Sequence, residues 1–293
     1  MTAYITSYTS GVEYLTALFG EILPSKGWVR VRDLEAEKVF ELPHGLGFVA
    51  FLVAGDVVRV SGFPVFDTEV SVEGQAGAYV SSLPRFVVPA GPVDCWTVVS
   101  DRRVAGVVRS DAGVYYSFYA GLIECFGSTR QYPFPCFLGG SGDVDGTYKS
   151  AYPFHGGGAL YCPKVCCPDG SWQVVGGESV VSYSSFDASQ HVSYIFPFNA
   201  RFRSLGPKVD GSHLLFPALV VSSFFEGSAS RDNAPIGSGE KYADDGQWLG
   251  YLEGVFVTTQ GLPPGSTLAV EGVDYLVVPN VDRASETYLL RLS

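Results

Sequence analysis

Helical periodicity appears in a single stretch of this chain, and that narrows the fold more than any other feature. From Val12 to Leu23, apolar residues fall at Val12, Leu15, Leu18, Phe19, Ile22 and Leu23, the three- and four-residue rhythm of an amphipathic helix. Ser10 is placed to cap its start and Pro24 to stop it. In the following KGW, Gly27 predicts a turn and Trp28 an anchor.

Downstream the rhythm changes to strands. WVRVRD alternates from Trp28 to Asp33, which predicts one buried and one wet face. FVAFLV, DVVRVSGF, CWTVVS, VAGVVRS and DAGVYYSFYAGLI are short, rich in β-branched and aromatic residues, and punctuated by Gly, Asp or Pro. From about Gly139 to Gly177 the chain is heavy in Gly, Ser, Pro and Asp and reads as loop. VVSY, VSYIF and LLFPALVVSSFF then predict further strands. VEGVDY predicts a Gly-centred turn in a hairpin spanning Thr267 to Leu292. The expected fold is mainly β, with β-sandwich-like cores, one short N-terminal helix and long Gly/Pro-rich loops. Two parts are expected, 1–150 and 151–293, with one composite domain as the alternative.

Composition limits the function classes. The 293 residues suffice for a full hydrophobic core. Charged residues make up only 17%, against about 25% in an average globular protein, which predicts a surface partly covered by other subunits. The formal net charge of −11 opposes a phosphate backbone, so direct nucleic-acid binding is not expected. No apolar run reaches the roughly 18–20 residues of a membrane span. The N-terminus lacks a basic segment ahead of its apolar part, so no signal peptide is expected. On that reading the six cysteines, at 95, 125, 136, 162, 166 and 167, default to thiols.

The residues that could carry chemistry are few. Cys162, Cys166 and Cys167, with His155 upstream, are the candidates for a metal site, since thiolates and imidazole suit tetrahedral zinc. They lack the second ligand pair of a closed zinc site, so buried thiols or a local disulfide are preferred and no cofactor is expected. His44, His155, His191 and His213 sit in no catalytic frame. FHGGG at 154–158 is similar to an esterase oxyanion segment, but the GxSxG elbow it needs is missing. Asp143, Asp145, Asp244 and Asp245 read as solvated turn residues rather than calcium ligands, because no longer ligand run follows. An enzyme is therefore not expected.

The most distinctive stretch is YAGLIECFGSTRQYPFPCFLGG, from Tyr119 to Gly140. Its two YPFP prolines stiffen the backbone, and the glycines permit turns or close approach. Two readings stay open: a stiff aromatic ridge that docks on a neighbour with little entropy loss, or an internal loop clamped over the core. Tyr119, Tyr132, Pro133, Phe134 and Pro135 are the candidate binding residues on the first reading.

Together with VEYLTALFGEILPSKGW near the start and VEGVDYLVVPNVDRASETYLLRLS at the end, this stretch resembles a class of tailed-bacteriophage virion structural proteins. The similarity touches the start, middle and end of the chain. The CPKVCC loop and the stretch from Arg201 to Gly246 depart from it. The resemblance implies a virion protein of the tail or baseplate/tail-tip region, made in the host cytoplasm. Its partners would be other tail proteins and copies of itself in a symmetric ring. A host-surface glycan-binding or fibre-adaptor protein and a head–neck connector are the alternatives.

Overall fold

The computed structural model describes residues 1–79, 83–127, 131–141, 154, 163–176, 192–196, 215–223, 247–258, 262–278 and 287–293. The protein is mainly β with one short N-terminal α-helix. Strand β1 (Thr2–Tyr8) precedes helix α1 (Gly11–Ala17), which runs into a π-helical turn at Leu18–Ile22. Ser10 Oγ accepts from the Glu13 amide at 3.2 Å, and the Glu13 carboxylate accepts from the Thr9 amide at 2.8 Å, so side chains satisfy two amides at the helix entry. Pro24 starts a 3-10 turn, and Gly27 ends it at φ 82°, in the left-handed region. Trp28 is then buried, and its Nε1 donates to Ser100 O at 2.8 Å.

Strands β2 (Val29–Asp33), β3 (Glu37–Glu41), β4 (Phe48–Ala54), β5 (Val57–Phe63) and β6 (Arg85–Val87) form an antiparallel meander, the front sheet. The alternation expected of WVRVRD is interrupted by a bulge between Arg30 and Arg32, and β2 is a weakly buried edge. Strands β7 (Val93–Val99), β8 (Arg103–Ser110) and β9 (Tyr115–Leu122) follow as a second meander, with β1 added at its edge. After the two-residue strand β10 (Glu124–Cys125), β11 (Cys136–Gly140), β12 (Lys164–Cys166) and β13 (Trp172–Gly176) extend this central sheet. The last two lie within the stretch that reads as loop; neighbouring strands supply the pairing that its turn-rich composition conceals.

The remaining strands are β14 (Val192–Phe196), β15 (Phe216–Ser223), β16 (Gln247–Thr258), β17 (Thr267–Val270), β18 (Val273–Val278) and β19 (Thr287–Arg291). They form the back sheet, joined to the central one by a parallel pairing of β13 with β14. Within the predicted span from Thr267 to Leu292, β17 and β18 form the hairpin, with Val270 opposite Val273, and β19 adds a third antiparallel strand against β18. Glu271 and Gly272 have φ 51° and 79°, the two positive angles of a type I′ turn. VVSY at 180–183 lies outside the described residues.

Packing on both faces of the central sheet explains why the middle of the chain alternates so poorly. Val99, Val104 and Val108 of the central sheet join a core with Phe40, Phe51 and Phe86 of the front sheet and with α1. Their neighbours Val98, Ala105 and Val107 join a second core with Val255, Leu276 and Leu290 of the back sheet. The central sheet is thus covered on both faces, and a strand buried on both faces reads as a continuous apolar run. β8 is buried at every position but Arg109. Strands from both halves of the sequence interleave, since β10 pairs with β16 and β11 with β12.

Candidate interaction site

The segment from Tyr119 to Gly140 leaves the central sheet and returns to it. β9 ends at Leu122, the chain steps across as β10 to pair Glu124 with Tyr251 and Cys125 with Gly250 on β16, and it comes back as β11 alongside β9. This excursion stitches the central and back sheets together. Gly250 permits the crossing, because a Cβ there would lie 2.2 Å from Glu124 O.

Four of the five candidate binding residues turn inward. Tyr119 is buried, its hydroxyl donates to Leu122 O at 2.8 Å, and its ring meets Phe137 edge-on at 5.6 Å. Tyr132 is buried and its hydroxyl donates to Cys166 O. Phe134 is 5% exposed. Its ring packs edge-on to Trp172 at 6.4 Å and lies over Gly47, where a Cβ would come within 2.3 Å of Phe134 Cε2. Gly47 also has φ 119°, so this position favours glycine twice over. Pro135 is buried, and its carbonyl accepts from the Ile123 amide at 2.8 Å. Pro133 alone is exposed. The side chains of YPFP therefore pack as a clamp over the core, and the open docking ridge has only Pro133 on its outer side.

The glycines act by close approach. A Cβ at Gly140 would lie 2.7 Å from Phe86 Cβ, and one at Gly121 would lie 2.5 Å from Arg102 O. Gly121 has φ 127° as well. Beside it, Arg103 is fully buried, pairs through Nε with Glu253 at 3.3 Å and donates to Val98 O at 3.3 Å. Arg102 binds Glu124 at 2.7 Å. These two arginines hold the central sheet to β10 and β16. Their signal in the sequence is only the DRRV turn, which gives no hint of a buried cation. Burial raises the Tyr119 and Tyr132 hydroxyl pKa values, so both stay neutral donors at physiological pH.

The metal candidates do not converge where they are described. Cys166 faces the core between the front and central sheets, whereas Cys167 faces the core between the central and back sheets. Adjacent side chains on opposite faces cannot both reach one ion. Cys162 and His155 lie outside the described residues, as do Asp143, Asp145, Asp244 and Asp245. Among the described residues, no group of three or more His, Cys, Asp or Glu side chains is placed to hold a metal ion. Also among them, no helix is long and apolar enough to cross a membrane.

Surface features overlooked in the sequence lie at the edges. β1 ends the central sheet, and Ile5 on it is 59% exposed. Phe126 and Trp248 are exposed where the β10–β16 pairing ends, and the Phe126 ring lies 6.0 Å from that of Tyr251. TAYITSY, with its alternating β-branched and aromatic residues, was the available signal for β1.

No protein-family model matches the chain, and neither does any curated protein.

Proposed function

We propose that this protein is a non-enzymatic structural component of a tailed-phage virion, in the tail or baseplate/tail-tip region. It works by assembling with other tail proteins and with copies of itself in a symmetric ring. The observation that carries the assembly part of this reading is strand β1; the virion setting rests on the sequence resemblance. Sheet edges in free-standing proteins are blunted by charge, proline, bulges or short length. β2 carries Arg30, Arg32, Asp33 and a bulge, β6 is three residues long and β17 four. β1 is seven residues long, TAYITSY, with no charge, no proline and an unbroken register against β7. Such an edge suits strand addition by a neighbouring subunit. The packing of Tyr119 to Gly140 supports the same reading, because it commits the most distinctive segment to architecture.

A charge on this edge is the test. Ile5→Lys leaves the core untouched, so the isolated protein melts within about 1 °C of wild type, as exposed substitutions usually do. Incorporation into particles made by a phage lacking the wild-type gene falls at least tenfold. Full incorporation of the variant removes β1 as the assembly edge.

The exposed Phe126 and Trp248 favour a second reading, a host-surface glycan-binding protein, since such rings stack on sugars. Binding of the purified protein to host polysaccharide, lost on Trp248→Ala, distinguishes it. A head–neck connector differs only in position, and a map of the intact particle separates the two locations.

A further inference from the structure

Cys136 opens β11 and Cys166 closes β12. These strands pair antiparallel, with Phe137 opposite Val165 and Leu138 opposite Lys164. One step further in the same register sets Cys136 opposite Cys166. Residues directly opposite in such a ladder have Cα atoms about 4.5 or 5.5 Å apart. Disulfides span about 4.4–6.8 Å between Cα atoms, so either pair type fits. Both side chains also point to one face. They belong to the core between the front and central sheets, whereas the intervening Phe137 and Val165 belong to the other core. The Cys136 sulfur lies over β5, where a Cβ on Gly62 would come within 2.9 Å of it. Both residues are free thiols here.

We propose that Cys136 and Cys166 form a cross-strand disulfide site, closed when the chain folds in the presence of a low-molecular-weight disulfide and otherwise held as two thiols. The chemistry is thiol–disulfide exchange. One cysteine, as thiolate, attacks the small disulfide, forming a mixed disulfide and releasing one small thiol. The second thiolate attacks the protein sulfur of that mixed disulfide, forming the cross-strand bond and releasing the second small thiol. The pair gives up two electrons and two protons, and the small disulfide is reduced to two thiols. Burial raises the Cys166 thiol to about 12 and the Cys136 thiol well above its usual value, so neither is a ready nucleophile once packed. The step therefore belongs to folding or to local opening of β12. This site differs from a bridge within CPKVCC, because Cys167 faces away from Cys166 across the sheet.

The test is refolding of the full chain with reduced and oxidised glutathione, followed by blocking of residual thiols and peptide mapping without reductant. Trypsin places Cys136 on 131–149, Cys162 on 150–164, and Cys166 with Cys167 on 165–201. The proposal expects 131–149 joined to 165–201, with the link retained in Cys167→Ser and absent in Cys166→Ser. Closing the loop from 136 to 166 raises the melting temperature by roughly 5–10 °C, and dithiothreitol reverses the rise. Cys136→Val keeps an apolar side chain in the core and removes both link and shift if Cys136→Ser does not fold. Complete alkylation of Cys136 and Cys166 after refolding with oxidised glutathione overturns the proposal. A bridge from Cys162 to Cys166 or Cys167 in place of the expected link does the same.

Discussion

Replacing Phe134 by Ala separates a clamp from a docking ridge. The ring is 5% exposed, meets Trp172 edge-on and covers Gly47, so its removal leaves a cavity on the core between the front and central sheets. Phe→Ala at a buried site costs about 3–5 kcal/mol. At about 2 °C per kcal/mol for a chain of this size, that lowers the melting temperature by roughly 6–10 °C. Gly47 supplies an internal control. Gly47→Ala alone drives a methyl to within 2.3 Å of the Phe134 ring and also strains a backbone at φ 119°. In the Phe134→Ala background the clash is gone and only the backbone strain persists. The double variant is therefore less destabilised than the sum of the singles, with a coupling of roughly 1–3 kcal/mol. Thermal or urea unfolding of the four proteins measures the cycle. A Phe134→Ala protein that melts within about 1 °C of wild type yet fails to enter particles would refute the clamp and restore the docking ridge.

Further outcomes follow from other parts of the molecule. Arg103→Met leaves Glu253 without its buried partner and lowers stability by about 3 kcal/mol, the low end for a broken buried pair because Glu253 is partly exposed. Glu271→Asn converts the Glu-Gly turn into Asn-Gly, the favoured type I′ sequence, and raises stability by roughly 0.5–1 kcal/mol in denaturant unfolding. Hydrogen bonds from Ser7 and Arg109 hold the Asp94 carboxyl below its usual 3.8. A depressed pKa means that this contribution is complete above about pH 5 and is lost as pH falls through the folded value; the protection factors of the β1 amides, corrected for intrinsic exchange, fall there, and Asp94→Asn removes that acid limb. A chelator leaves the melting temperature unchanged. About one zinc per chain by elemental analysis, with melting on chelation, would contradict that expectation.

Local elements were readable where one residue type forces one conformation. The Ser10 cap, Pro24, the left-handed Gly27 and the Glu271–Gly272 turn all occur where local chemistry puts them. The β-branched runs became β4, β5, β7, β8 and β9 because their turns are short and their partners adjacent. Long-range pairing was not readable. β10 is two residues long, and its partner on β16 lies more than a hundred residues away, so nothing local marks it. The inward turn of YPFP depends on Gly47 and Trp172, which meet it only after the sheets stack. Likewise, six cysteines in a row of text do not reveal that 136 faces 166 while 167 faces the opposite core. That requires the register of β11 against β12.

The central claim is that the protein is a built-in part of a virus particle. Quantitative mass spectrometry of virus particles purified from an infection in which this chain is expressed tests that claim most directly. The account predicts a fixed copy number per particle, an integer multiple of the three- or six-fold symmetry of a tail, retained through density-gradient and high-salt washing. Particles of full infectivity that contain no copies of the chain would contradict it.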